Sequence, residues 1–441
     1  MCAEVREDLR RAAHFRSGSM LHVGLQGESG TRSPRPGSYG LTRKMRIAYL
    51  TSRLPYPPIG GDRVRAYHFL RYLLRSHEVT LYAIESGLAG TADDVSGDLE
   101  GLKQKSYRMS PVRYGWNALK AAFSGLPFQV KLYENSRLVR ALAEDAASGT
   151  IDLVFVHLVR MAEYARPLRS IPRILDMVDS ICMHYHRMPA RRGSLRWLAA
   201  RLDRGRVCKY ENQIPTWFDA VLVTSPLDLA WLRERSQAGN LLLVPNGVDT
   251  TKYPFFTGGA DSNRIVFFGK LDYLPNSDAA VYFATEIFPL VKRRVPQAEF
   301  VVVGWNPPRE VRKLSRIPGI AVRANVSDVG SEVGNAAISV APLRFGAGIQ
   351  NKILESLALG VPVVASPSAA APITDEREGL VLVGRTPVEF AELVVKLLED
   401  SGYRTQLGRA GRALVESRFQ WDKALAPLDG ILERARQSRA R

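Results

Sequence analysis

The chain has 441 residues, of which 46% are hydrophobic and 24% charged, enough for two domains that each bury a core. No window approaches the roughly 18 unbroken apolar residues of a spanning helix, which excludes an integral helical membrane protein. The formal net charge of +17 calls for an anionic partner, whether a polyanion, an anionic membrane surface or an anionic small substrate.

Residues 1–44 carry "RSGSM" and "GESGTRSPRPGSYG" and read as a flexible tail, or as sequence upstream of a start at Met45. A signal peptide needs an apolar run after its charged start, and that run is missing. From Met45 the pattern changes. "MRIAYL" is a short apolar strand, "TSRLPYPPIGGDRVR" a loop rich in Pro and Gly, "VRAYHFLRYLLRSH" a helix and "EVTLYAI" a second strand. Strand, helix and strand within about 40 residues make a parallel βαβ unit. "IDLVFVHL", "RILDMVD" and "AVLVTS" add buried strands. Cys2, Cys182 and Cys208 lack the paired spacing of a zinc site or disulfide framework, so free thiols in a reducing cytoplasm are expected.

Between Arg187 and Lys209 eight basic residues stand against Asp203 alone, interleaved with Leu195, Trp197, Leu198, Leu202 and Val207. Two readings stay open: a basic amphipathic segment lying on anionic lipid, or a helix with a solvated basic face.

The strands pause at "LLLVPNGVDTTKYPF" and alternation resumes at "RIVFFGKL". A helix, "EFVVVG", "IAVRA", "AISVAPL", a further helix and "VPVVAS" follow. The expected architecture is α/β, two doubly wound Rossmann-like domains at 45–248 and 249–417 facing each other across a cleft, with a helix in 418–441. In open sheets the ligand sits outside the carboxyl ends of the strands.

In the second half three strand ends deliver glycines or cations: Gly269 and Lys270, Gly304 and Trp305, then Arg344 with the loop Gly346–Gly348. A helix from about Gln350 to Leu359 follows, and its first turn offers free amides to an anion. The set suits a diphosphate, with Glu355 placed to accept from a ribose diol. His157 ends one strand. Asp176 and Asp179 end another, where either can position an acceptor and Asp179 can equally cap a helix.

With "GAGIQNKILESLALGVPVVAS", "PNGVD" and "PPIGGDRVR" in place, residues 45–435 resemble the family 4 glycosyltransferases, retaining enzymes of the GT-B fold. "FFGKLDYLPNSDAAVYF" and "GAGIQNK" further resemble the branch associated with exosortase and exopolysaccharide gene clusters. The resemblance implies a cytoplasmic, metal-independent hexosyltransferase that needs no cofactor, with the helix in 418–441 returning to the first domain. Its donor would be a UDP- or GDP-linked sugar, and its acceptor a glycan or a polyprenyl-linked glycan. It gives Lys270 the donor diphosphate, Glu355 the ribose, His157 the sugar site, Val326 the nucleobase, and Gly60 and Gly61 the diphosphate and acceptor. The first glutamate of the family's acidic pair falls on Ala347, which passes sugar contacts to the Gly348 and Ile349 amides or to an unidentified group. The second basic residue after Lys270 is replaced near Asn276, leaving phosphate charge to Lys270, Arg344, the helix end and Lys352.

Rival classes fit less of the chain. A nicotinamide oxidoreductase wants G-x-G-x-x-G directly after the first strand, and "TSRLPYPPIGGD" is too long and proline-rich for that turn. A nucleic-acid-binding protein accounts for the charge but leaves the glycine loop without a purpose. A noncatalytic relative is the alternative that Ala347 raises.

Overall fold

The structure is a computed structural model that describes residues 44–86, 99–188, 195–256 and 261–440. The expected tail over residues 1–44 therefore lies, but for Lys44, outside the described residues.

Two parallel sheets organise the chain. The first holds β1 (Arg46–Thr51), β2 (Glu78–Ser86), β3 (Lys103–Met109), β4 (Leu153–His157), β5 (Arg173–Val178), β6 (Ala220–Val223) and β7 (Leu241–Leu243), in the order β3-β2-β1-β4-β5-β6-β7. The second holds β8 (Asp261–Lys270), β9 (Glu299–Trp305), β10 (Ile320–Ala324), β11 (Ala336–Ala341), β12 (Val363–Ala365) and β13 (Leu382–Val383), in the order β10-β9-β8-β11-β12-β13. Central strands such as "LVFVH" are buried along their whole length, because helices cover both faces of a parallel sheet. The edge strand "KQKSYRM" stays largely wet, which blunts an edge that would otherwise pair with another chain. The stretch "LLL", where the sequence pattern pauses, is the seventh strand and pairs with β6.

Each sheet changes direction once, between β1 and β4 in the first and between β8 and β11 in the second. Loops leaving such a switch point diverge and open a crevice at the carboxyl ends. Both crevices face the gap between the domains.

The chain leaves the second core at Phe419 and enters the first at Trp421, followed by Leu425, Leu428, Ile431, Leu432 and Ala435. The helix Pro427–Ala440 thus seals the first domain. The linker closes on this crossing. Val248 N–H donates to the Phe419 carbonyl at 2.7 Å, and a Cβ on Gly247 would lie 2.6 Å from the Trp421 Cα.

The cysteine expectation fails. Cys182 and Cys208 form a disulfide, because the helices Ile181–Arg187 and Leu195–Gln213 pack side by side and return the chain upon itself. The argument for a reducing compartment falls with it. Of the basic stretch 187–209, residues 189–194 lie outside the described residues, with Arg191 and Arg192 among them.

Gly247→Ala is expected to push Trp421 off the linker and cost roughly 1–3 kcal/mol, the range for overpacking a filled site. A lower urea midpoint, with earlier proteolysis at the C-terminal helix, is the measurement.

Candidate functional site

The site is built from strand ends. On the second domain, β8 and β11 leave the switch point side by side. Lys270 ends β8 with a side chain 58% exposed, its closest carboxylate Asp272 at 3.8 Å. After β11 the loop Pro342–Gln350 runs into the helix Asn351–Ala358, one residue shorter at each end than expected. Gly348 takes φ 70°, and a Cβ there would come within 3.2 Å of Thr224 Oγ1 in the other domain. Glycine is needed on both counts.

The helix tip points into the gap, and the first domain meets it there. Gly348 N–H donates to Asp228 Oδ2 at 3.0 Å and Ile349 N–H to Thr224 Oγ1 at 3.3 Å. The amides expected to hold the transferred sugar are thus capped by a carboxylate and a hydroxyl. This is the chemistry a helix N-terminus selects. Among the described residues no protein group accepts from the Asn351 and Lys352 amides. Opposite them stands the Gly60–Gly61 loop, where a Cβ on Gly61 would be 3.8 Å from Asn351 Nδ2.

A chain of polar contacts ties these parts together. His157 Nε2 lies 3.0 Å from the Asp62 carbonyl and Nδ1 lies 2.8 Å from Asp176. Arg65 grips Asp176 through Nε and Nη2, the latter at 2.7 Å, and donates to Asn246 Oδ1 at 2.8 Å. Asn246 Nδ2 then donates to Asn351 Oδ1, also at 2.8 Å. Burial alone would raise the Asp176 pKa, but the Arg65 charge and the hydrogen bonds from His157 and Arg65 outweigh it and hold the carboxylate below its usual range.

This geometry corrects several expectations. His157 is 1% exposed with both ring nitrogens engaged, so it shapes the Asp62 turn and does not line an open sugar site. Asp176 is fully buried in its ion pair and is closed to an acceptor. Arg344 is held bidentate by Asp278, at 2.8 and 2.6 Å, and stands over the Tyr282 ring, so its charge is already matched. Lys352 is buried beneath Gly269. Its Nζ donates to Asn276 Oδ1 at 2.6 Å, and burial lowers its pKa to about 7.

Glu355 is half-buried beside Tyr253, with burial raising its pKa against the pull of Lys252 and Lys352. Val326 follows the left-handed Asn325 at the end of β10 and packs on the Val266 and Val303 cluster. Asp179 lies against Gly348, its Oδ2 3.7 Å from where a Cβ would be. Burial and the nearby Asp228 charge raise its pKa to about 7.

Sequence reasoning missed Arg65, Thr224, Asp228, Asn246 and Asn351. Asp228 sits in the first turn of the helix Pro226–Ser236, where an acid reads as an ordinary helix-start residue. Its other oxygen accepts from Ser180 N–H at 2.8 Å. His184 was missed too: buried between Tyr273 and Phe345, it has no partner for Nδ1, and burial lowers its pKa to about 4. Beside these residues lies a cavity lined by Met183, Arg187 and Ser225 from one domain and by Phe345, Ala347 and Gln350 from the other. Among the described residues the grouping with metal-ligand chemistry is Cys182, His186 and Cys208, and its two sulfurs are bonded to each other.

Comparison with known proteins places this geometry. Residues 262–400 match the family model described as "Glycosyl transferases group 1". The chain is 30% identical over 220 residues to a GDP-mannose-dependent alpha-(1-6)-phosphatidylinositol monomannoside mannosyltransferase of Mycobacterium tuberculosis, a stretch covering 44% of this chain and 56% of that one. It is 41% identical over 157 residues to a GDP-mannose-dependent monoacylated alpha-(1-6)-phosphatidylinositol monomannoside mannosyltransferase of Corynebacterium glutamicum, covering 33% and 41%. The chain spans about half the length of the curated relatives it matches. Among solved structures, sucrose-phosphate synthase from Thermosynechococcus elongatus superposes with a TM-score of 0.69 at 16% identity, over 90% of this chain and 100% of that one. Anabaena Alr3699/HepE in complex with UDP and glucose superposes with a TM-score of 0.61 at 13% identity, over 88% and 99%. The fold is GT-B.

Three buried carboxyl groups crowd this side of the gap. Asp179 titrates at about 7, burial lifts Glu211 to about 8, and burial also raises Asp228. The unfolded chain releases the Asp179 and Glu211 protons near pH 4 while the folded chain keeps them, so the stability these two groups contribute is full below about pH 4 and is lost as pH rises through about 7 and 8. Asp179→Asn is expected to raise the melting temperature at pH 7.5 by on the order of 2–4 °C and to leave it nearly unchanged at pH 4.5. Thermal unfolding at the two pH values reads both.

Proposed function

We propose that the protein is a retaining glycosyltransferase. It moves a sugar from a UDP- or GDP-linked donor to a glycan or polyprenyl-linked acceptor, in the assembly of exopolysaccharide or another cell-surface glycan. The exosortase-associated branch is the finer assignment. One observation carries the reading: the glycine loop, the Asn351 helix tip and Lys270 leave one sheet at its switch point and face the Gly60–Gly61 loop at the switch point of the other. Support comes from the family match over 262–400 and from relatives whose names specify GDP-mannose as donor and phosphatidylinositol mannosides as acceptors.

A departing nucleoside diphosphate gains negative charge, and stabilising it is the main catalytic task. Lys270 and the amides at the helix tip supply that stabilisation, with no resident metal in the proposed scheme. Glu355 takes the ribose hydroxyls and Val326 borders the base. The acceptor hydroxyl attacks from the face the diphosphate leaves, and a diphosphate oxygen receives its proton, so configuration is retained without a dedicated base. Asp179, beside Gly348, orients the acceptor hydroxyl.

The capped helix tip defines the order of events. Asp228 and Thr224 must leave the Gly348 and Ile349 amides before a donor sugar can use them, so the domains part to admit the donor and close again over it.

The test is a panel of UDP, GDP and ADP sugars, read first by thermal shift and then by donor turnover. One nucleotide should raise the melting temperature. Lys270→Ala should lower turnover by about 10²-fold, and Glu355→Gln should weaken donor binding by about tenfold. Binding with neither transfer nor hydrolysis would identify a noncatalytic nucleotide-sugar binder, and a folded sample that binds no nucleotide would sink the assignment.

A further inference from the structure

The helix Pro111–Phe123 is turned inside out. A surface helix ordinarily buries its large apolar residues and wets its polar ones. Here Val112, Trp116, Leu119 and Phe123 are 82%, 59%, 53% and 88% exposed. They are spaced four, three and four apart, so they form one continuous stripe. The buried side holds Asn117 and Ala121 instead. Asn117 explains the inversion, since its Nδ2 donates to the Leu132 and Glu134 carbonyls at 3.1 and 2.9 Å. The helix is pinned to the domain by its amide, and the stripe is left outward.

The basic helix Leu195–Gln213 extends this face. Arg206 donates to the Ala121 and Ala122 carbonyls, each at 3.1 Å, docking it at the end of the first helix. Asp203 accepts from Phe128 N–H at 3.0 Å, which seats the half-exposed Phe128 between the two. On the outer side Leu198 and Leu202 are 46% and 73% exposed. At helical spacing beside the apolar groups stand Lys120, Arg201 and Lys209, all exposed. The first helix contains no acid, and both acids of the second, Asp203 and Glu211, are buried.

We infer that this two-helix face docks on an anionic lipid bilayer, with Trp116, Leu119, Phe123 and Leu202 entering the headgroup boundary and Lys120, Arg201 and Lys209 meeting lipid phosphates. Charge complementarity selects this occupant. Apolar and aromatic groups flanked by cations, with no exposed carboxylate on either helix, match an interface that is apolar beneath and negative above. A contiguous exposed patch of this size marks an interaction site in a soluble chain. The inference deepens the proposed function, because a membrane-held acceptor gives the face its purpose, and it moves the contact from the 187–209 segment alone onto a helix that sequence reading passed over.

The experiment is co-sedimentation of the full chain with vesicles of phosphatidylcholine, alone or with phosphatidylglycerol, without donor or acceptor. Binding should appear with the anionic vesicles and weaken as salt rises. The double variant Trp116→Ser, Phe123→Ser should reduce the partition by at least about tenfold, and Lys120→Glu, Arg201→Glu should abolish the preference for anionic lipid. All four positions are exposed, so each variant should keep the parent's melting temperature and its nucleotide-induced shift. Equal partition of parent and double variant would overturn the inference, as would a parent chain that stays in the supernatant. A lipid-free dimer dissolved by Trp116→Ser, Phe123→Ser would reassign the face to self-association. Because the readout uses no sugar transfer, its failure and that of the transferase reading are separate events.

Discussion

The buried Arg65–Asp176 pair is the constraint on which the rest of the architecture depends. Removing two charges from water costs several kcal/mol per ion, and the attraction between them offsets this only when every remaining donor is also satisfied. Arg65 meets that condition. Its Nε and Nη2 reach Asp176, Nη2 also reaches the Val244 carbonyl, and Nη1 reaches the Pro245 carbonyl and Asn246. All five guanidinium hydrogens are used. Three of the acceptors, on Val244, Pro245 and Asn246, follow β7, so the residue that neutralises a strand-end aspartate also fixes where the second domain departs. Through Asn246 and Asn351 the same guanidinium sets the distance between the glycine loop of one domain and the helix tip of the other.

The gap so defined is electrically lopsided. One wall carries Asp179, Asp228 and Glu211, each pushed upward by burial. The other carries the positive end of a helix dipole and Lys270. Asp228 accepts from the Gly348 amide at the positive end of that dipole. Under the proposed function a diphosphate would compete for the same amides, so donor entry and separation of the walls would be one event. Positive φ at Gly348 lets the backbone approach Thr224 and Asp179 closely enough for the competition to be direct.

Much of this was legible in the sequence. Continuous apolar runs announced the central strands, and glycines and cations at their ends marked the crevice, because parallel strands are buried on both faces and their loops share one side. What stayed hidden depends on partners remote in sequence. Arg344 looks like a free cation until Asp278, on another helix, takes it. His157 looks like a ligand until Asp62 and Asp176 close over it. Cys182 and Cys208 look unpaired because 26 positions of sequence separate them and they lie on different helices. The strand "LLL" is too short to show a period, and Asn117 hides the inversion of its helix because a single amide reads as surface polarity.

The charge count itself misleads about the site. The chain carries +17, yet little of that stands ready in the crevice. Arg344 is matched by Asp278, and Lys352, buried against Asn276 and the Phe267 ring, has a pKa of about 7 and is only partly charged at neutral pH. Of the cations assigned to the site from sequence, Lys270 stands exposed, and the helix dipole adds to it. Lys352 is the conditional one. A diphosphate arriving above Gly269 would raise its pKa again, since an anion favours the protonated amine. Positive charge would then appear under the leaving group only once that group is present.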